Sequence, residues 1–351
     1  MTKKILAILM ALVLTFAMST VALADDEDVQ LTTPPTVTSG DKIYTDITSV
    51  TFYKTYSLTN NNTTSPQETI SFTSSHDEGV PDLISISSVS LEAGAAGTKD
   101  DNDQTKKYPV VVTLPTYSKV GTYTYTISET NNKNAGVNYY TTPITLVVTV
   151  LQGEDGKVRV AAVHCEANPS LNSSNKTDTF ENSYSAGKIS VTKNVVGAFG
   201  DQSEYFDFTI KLTGNSGLTY QTISTNGNSL SWTGDNNTKN PTSITVNGEA
   251  VTFHLKHNET FTLENVPYGV SYEVTETENQ KYTSVISYPK DSEDKDDKVV
   301  NSAVESVTVT NTSKDGTIDT GISMDSIPYI VLLAVAAFGI VALMMKKRYE
   351  A

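Results

Sequence analysis

Ile189-Ser190-Val191-Thr192-Lys193-Asn194-Val195 alternates apolar and polar residues, and at one position the alternation puts a lysine among the apolar side chains. Strand side chains point to opposite faces with period two, so Ile189, Val191, Lys193 and Val195 share a face. Two later stretches carry the same anomaly: Val270, Tyr272, Val274 and Glu276 share one face, and Val307, Val309 and Asn311 another. An earlier part of the chain repeats the set in the same order. Lys54 falls in phase with Val50, Phe52 and Tyr56, Glu129 with Tyr123, Tyr125 and Ile127, and Asn182 with Phe180 and Tyr184.

A single charge in an apolar strand phase is usually an accident of a strand end, because burying an ammonium or carboxylate costs several kcal/mol unless it is paired or neutralised. Two ordered Lys, Glu, Asn sets call for a chemical reading. Desolvation lowers a lysine pKa and raises a glutamate pKa, which favours a neutral amine beside a protonated carboxyl. A neutral amine is a nucleophile. Held against an Asn carboxamide, it attacks the carbonyl carbon while the Glu carboxyl polarises the carbonyl and shuttles protons. Ammonia leaves, and an isopeptide bond joins Lys to Asn. The blander reading of each set is a buried ion pair.

The ends of the chain read as sorting signals. Lys3 and Lys4 precede the apolar run Ile5 to Ala17, and Val21-Ala22-Leu23-Ala24 supplies small residues before Asp25, the pattern of a secretory signal peptide over residues 1–24. Near the other end, the apolar run 327–345 approaches the roughly 20 residues that span a bilayer as a transmembrane helix, and Lys346, Lys347 and Arg348 follow at once. This basic stop places the long N-terminal part outside the cell. Cys165 is the one cysteine, so an exported chain of this kind has no internal disulfide, and Cys165 itself reads as a small buried side chain. The formal net charge of −15 disfavours nucleic acid and anionic lipid as partners and favours a soluble extracellular surface.

Between the ends, Thr-rich and Ser-rich segments alternate with apolar residues and no long stretch has helical periodicity, so the fold class is all-β. Expected strands run over residues 53–58, 69–73, 107–114, 121–129, 144–151, 158–165 and 177–184, with a break at Ser185-Ala186-Gly187. A second block is expected over 189–195, 206–213, 218–224, 244–254, 259–263, 270–276, 282–288 and 306–311. Seven or eight short strands per block predict two tandem Ig-like Greek-key sandwiches, over 25–185 and 186–314, with residues 315–351 as a sorting signal. Each Lys lies on the first strand of its block and each Asn on the last, so those distant strands must become neighbours.

Other features carry less. The acidic run Asp291 to Asp297 reads as a solvated loop, since its order matches no calcium loop. His76, His164, His254 and His257 form no ligand pair, and Trp232 reads as a loop anchor. With no phosphate-cradling glycine loop and no Ser, His, Asp order, neither a cofactor nor a metal is expected. A sugar-cleaving enzyme needs two carboxylates facing one cleft, whereas Glu129 and Glu276 lie in separate blocks.

These residues resemble the major shaft pilins of Gram-positive sortase-assembled pili, especially the streptococcal FctA-like group with CnaB-type domains. The likeness spans nearly the whole chain. Its carriers are Val191-Thr192-Lys193-Asn194-Val195, the Tyr272-Glu273-Val274-Thr275-Glu276 box with its counterpart Tyr125 to Glu129, and the terminal segments Phe180-Glu181-Asn182 and Val309-Thr310-Asn311. The resemblance implies Lys54–Asn182 and Lys193–Asn311 isopeptide bonds promoted by Glu129 and Glu276.

It also implies head-to-tail joining of identical pilin subunits by a pilus-class sortase, which cleaves between Thr and Gly and passes the Thr carbonyl to a lysine of the next subunit. Thr317-Ile318-Asp319-Thr320-Gly321 occupies the motif position, with Thr320 and Gly321 as the cleaved pair, although it lacks the Leu and Pro of the usual sorting motif. Lys176, six residues before Asn182, stands near the place of the family's linking lysine. Lys290, within Tyr288-Pro289-Lys290, and Lys157 are held in reserve. Tip and base pilins and peptidoglycan are the further partners implied, and no host ligand is indicated. The alternative is a monomeric surface adhesin with the same domains and wall anchor.

Overall fold

The computed structural model describes residues 36–39, 42–77, 80, 83–97, 106–166, 176–234, 239–293, 295–314, 331–333 and 335–337. The expected signal peptide and the Thr320-Gly321 step lie outside these residues. Of the expected span 327–345, only 331–333 and 335–337 are described, as helix, and no helix among the described residues is long and apolar enough to cross a membrane.

The chain is all-β and forms two tandem sandwiches. In the first, one sheet runs in the order Val137–Asn138, Thr179–Tyr184, Ser49–Leu58, Lys106–Thr113, Ser85–Ile86, and it faces a sheet ordered Val158–Glu166, Ile144–Gln152, Gly121–Glu129, Phe72–His76. In the second, the order Leu230–Trp232, Thr260–Pro267, Ala186–Val196, Val304–Ser313, Tyr282–Ser287 faces Val251–Leu255, Phe206–Thr213, Ser271–Glu276. The inward residues of each pair of sheets make a separate core. Phe52, Tyr56, Tyr125, Leu146, Val148 and Phe180 anchor the first; Ile189, Val191, Phe208, Phe253, Phe261 and Val309 anchor the second. Alternating burial along Val304–Ser313 and Phe206–Thr213 shows the period of two that one-sided packing demands.

In each sandwich the first long strand lies beside the last, and the pair is parallel. Ser49–Leu58 pairs with Thr179–Tyr184, Lys54 opposite Phe180. Ala186–Val196 pairs with Val304–Ser313, Lys193 opposite Val309. Parallel neighbours cannot be joined by a tight turn, so the whole intervening domain serves as the crossover between them.

The structure redraws several expected strands. The stretch expected as one strand over 69–73 is two, Glu68–Ile70 paired with Val89–Leu91 and Phe72–His76 paired with Gly121–Glu129, because the chain changes sheets at Ser71. The strand expected over 244–254 is cut by a turn in which Asn247 takes a positive φ of 63° and the Gly248 N–H donates to the Thr245 carbonyl. That leaves Ser243–Ile244 and Val251–Leu255. Of the strand expected over 218–224 only Ile223–Ser224 forms, since Gly217 turns with φ 84° and Leu218 is exposed. Trp232, read as a loop anchor, ends a strand opposite Phe261 and packs on the second core.

One residue, Ser185, separates the last strand of the first sandwich from the first strand of the second. The joint is tied on several sides. Asn265 and Thr64 exchange two hydrogen bonds of 2.9 Å, and Asn60 Nδ2 donates to the Ala186 carbonyl at 2.7 Å and to the Tyr268 hydroxyl at 2.5 Å. Thr219 donates to the Lys133 carbonyl and accepts from Ala135.

Candidate functional site

The parallel pairing fixes where the polar inward residues meet. Asn182 stands two residues past the position opposite Lys54, and Asn311 two past the position opposite Lys193, so both pairs share the same diagonal on an inner face. Diagonal neighbours in a sheet are within reach of long side chains. Each Glu arrives from the facing sheet, at the end of Gly121–Glu129 or Ser271–Glu276. Each site therefore draws one residue from each of three strands and bridges both layers.

In the first site, Lys54 is fully buried and its Nζ donates to Glu129 Oε2 at 2.8 Å and to the Phe180 carbonyl at 3.1 Å. Asn182 Nδ2 donates to the other carboxylate oxygen, Oε1, at 2.6 Å. The Asn182 Oδ1 accepts the backbone N–H of Tyr140 at 2.8 Å. Aromatic rings close the site: Phe180 packs against Phe72 at 4.8 Å and edge-on against Tyr140 at 5.7 Å. Burial pushes the Lys54 amine down to about 8 against the opposing pull of Glu129, and burial pushes the Glu129 carboxyl up.

The second site has the same members in a different hydrogen-bond pattern. Lys193 Nζ and Asn311 Nδ2 both donate to Glu276 Oε1, at 2.9 and 2.7 Å, while the Ser284 hydroxyl donates to Oε2. Asn311 Oδ1 is buried without a hydrogen-bond partner among the described residues. The Lys193 ammonium lies 4.4 Å from the centroid of the Phe206 ring and 5.6 Å from that of Phe208, and burial lowers its pKa. In both sites the carboxylate meets the nitrogen of the Asn amide, whereas the sequence expectation set it against the carbonyl. Each carboxylate therefore lies between the lysine nitrogen and the amide nitrogen, with the Asn carbonyl oxygen turned away from it.

Several contributors were not singled out from the sequence. The Tyr140 amide carries no side-chain signal, and Ser284, in the inward phase of Tyr282 and Ile286, is one serine among many with nothing in its spacing to tie it to Glu276. Glu68, also buried, accepts from Asn132, Asn134 and Tyr139 on one oxygen and so ties down the loop leading to Tyr140. Phe206 and Phe208 are legible as core positions, but nothing in their spacing ties them to Lys193.

Of the lysines considered for linkage between subunits, Lys176 is exposed just before Thr179–Tyr184, and Lys157 is exposed in the turn whose carbonyl accepts from Gly153. Lys290 is exposed and bonded to Asp296 at 2.7 Å. Cys165 is buried and its thiol is pushed up to about 12 by burial. His254 contacts Asp207, and His257 Nδ1 accepts from Val195. Among the described residues no cluster of His, Cys, Asp and Glu could hold a metal ion.

Residues 50–185 match the family model described as the Spy0128-like isopeptide containing domain, and residues 187–313 match a model described as a domain of unknown function. The chain is 31% identical over 242 residues to a pilin of Streptococcus pyogenes serotype M1, covering 66% of this chain and 69% of that pilin. It is 33% identical over 95 residues to the pilus tip adhesin Cpa of Streptococcus pyogenes, covering 27% of this chain and 12% of the adhesin. A solved structure of the major pilin from Streptococcus pyogenes aligns over 76% of this chain and 98% of that one, at 24% identity and a TM-score of 0.46.

Proposed function

The chain belongs to the pilin family, and from that premise we propose that it is a covalently polymerised shaft subunit whose two sandwiches are each closed by a Lys–Asn isopeptide bond. A pilus subunit is a structural protein of the cell surface. Each bond forms once, within the molecule, so the Glu residues act as built-in promoters and not as turnover catalysts. The observation that carries the reading is the repeat of one geometry: a buried Lys, an Asn on the parallel neighbour two residues past its opposite position, and a Glu from the facing sheet touching both.

The chemistry follows from these contacts. Burial favours the uncharged amine, which attacks Cγ of the Asn carboxamide. The Glu accepts the amine proton and supplies one to the Asn nitrogen, ammonia leaves, and the carboxylate is restored. A bond from first strand to last then closes the domain, which takes the place that a disulfide holds in other exported proteins.

Polymerisation supplies the second kind of bond. A sortase cysteine takes the Thr320 carbonyl with release of the segment from Gly321, and the Lys176 amine of the next subunit resolves the thioester. One donor and one acceptor per subunit make a head-to-tail contact that does not close and grows as a fibre. Tip and base pilins would bound the fibre and peptidoglycan would hold it to the wall. The test is the ladder of sortase-linked oligomers: Lys176→Ala should abolish it while Lys157→Ala and Lys290→Ala leave it intact. A ladder that survives Lys176→Ala removes that lysine from the account. A chain found only as wall-released monomer would be a surface adhesin instead.

A further inference from the structure

The two sites differ at the atom where charge develops. Attack by the lysine nitrogen pushes the carbonyl electron pair onto the Asn oxygen, so an N–H aimed at that oxygen lowers the barrier. Asn182 Oδ1 has such a donor in the Tyr140 N–H at 2.8 Å, and among the described residues Asn311 Oδ1 has none. We propose that the backbone N–H of Tyr140 is the oxyanion donor of the first site, a catalytic group that the second site lacks.

The donor is held in place before reaction. Tyr139, its chain neighbour, donates its hydroxyl to the buried Glu68 at 2.7 Å, and Asn132 and Asn134 bond the same oxygen at 3.0 Å. On the other side the Tyr140 ring meets Phe180 edge-on, two residues from Asn182 on the same strand. Preorganisation of this kind means that the dipole need not reorient as the oxyanion forms.

With the oxyanion held by the Tyr140 N–H, Glu129 is free to handle protons alone. The Lys54 Nζ lone pair forms the bond to Asn182 Cγ, and the carbonyl π pair moves to Oδ1. Glu129 Oε2 takes a proton from Nζ, the carboxyl delivers one to Nδ2 from the side of Oε1, and the returning Oδ1 pair expels ammonia. The amine and carboxamide become one secondary amide plus ammonia, and Glu129 ends as it began. In the second site Lys193 and Asn311 share a single oxygen of Glu276, and the oxyanion there forms without a donor among the described residues.

The inference rests on the isopeptide reading above, and the experiment separates the two. The chain is assembled unfolded by chemical ligation in denaturant, so that no bond has formed, then folded by dilution, and each linkage is followed by mass on cleaved fragments. The Tyr140 N–H is replaced by an ester oxygen, which keeps the side chain. The first bond should then form roughly 100-fold more slowly, the usual effect of losing one such donor, while the second keeps its rate and Cys165 stays protected from thiol reagents, reporting a folded first sandwich. Tyr140→Ala, which keeps the N–H, should form the first bond at least ten times faster than the ester chain. An ester chain with protected Cys165 and an unchanged first rate overturns the inference while leaving the bonds themselves in place. Amide exchange gives a check that does not depend on how the ester chain folds. In Lys54→Met, which cannot link, the Tyr140 amide should resist exchange, and free exchange would overturn the inference. A wild-type chain that loses no ammonia ends the isopeptide reading as a whole.

Discussion

Lys193 and Asn311 sit on adjacent parallel strands, one at position 193 and the other two residues past its opposite number, and both end on the same oxygen of Glu276. Covalent joining at this place closes a loop that spans nearly all of the second sandwich. By loop-closure entropy a cross-link around a loop on the order of 100 residues stabilises by roughly 5 kcal/mol. Asn311→Ala should therefore fall short of its own sequence mass by one ammonia instead of two, and lose about that much stability in denaturant unfolding. Glu276→Ala should lose a further ~3–5 kcal/mol, because it strands the buried Lys193 charge. A loss under about 1 kcal/mol in both variants would contradict the bond in this domain.

The pH dependence of the first bond follows from Lys54. Its folded amine titrates near 8, below the ordinary value of 10.5, because burial disfavours the ammonium. Below about 8 the neutral amine falls roughly tenfold per pH unit, so the rate of first-bond formation in a chain folding for the first time should climb from about pH 6 to about pH 8 and then level off. The same shift acts on stability in a chain that cannot link. Between about 8 and 10.5 the unfolded lysine holds a proton that the folded one has released, so stability rises with pH across that window. Glu129 has the opposite sign: its folded pKa is raised, so its contribution falls as pH rises from the ordinary carboxylate range through the folded pKa. A first-bond rate that declines from about pH 6 to about pH 8 would rule out attack by the neutral amine.

Under the proposed linkage, mechanical load would separate the duties of the two bonds. Force entering at Lys176 would pass along Thr179–Tyr184, cross Ser185, enter Ala186–Val196 and leave along Val304–Ser313. A Lys193–Asn311 bond lets tension pass directly from first strand to last, and most of the first sandwich lies off this path. In single-molecule pulling through Lys176 and the C-terminal end, Lys193→Ala should add the contour length of an unfolding second sandwich, while Lys54→Ala adds little. Equal added length from the two variants would refute this division.

Strand phase made the site members legible, because a Lys, Glu or Asn in an apolar period of two stands out from residues such as Ile189 or Tyr272. The same pattern could not show that the chain changes sheets at Ser71, since alternation is identical on either side of the crossing. The turn at Asn247 and Gly248 was legible, but in the Asn-Gly pair and not in the alternation that runs through it. The orientation of each carboxamide depended on partners outside the strands: a main-chain N–H at Tyr140 for Asn182, and no donor among the described residues for Asn311. Backbone donors leave no trace in side-chain spacing, which is why the difference between the two sites emerged only from the structure.

Whether both Lys–Asn pairs are covalently joined can be read from the intact mass of folded residues 25–314. Two bonds predict a mass lower than the sequence mass by two ammonia molecules, one of them restored in Lys54→Ala and the other in Lys193→Ala. A wild-type mass equal to the sequence mass would contradict the account.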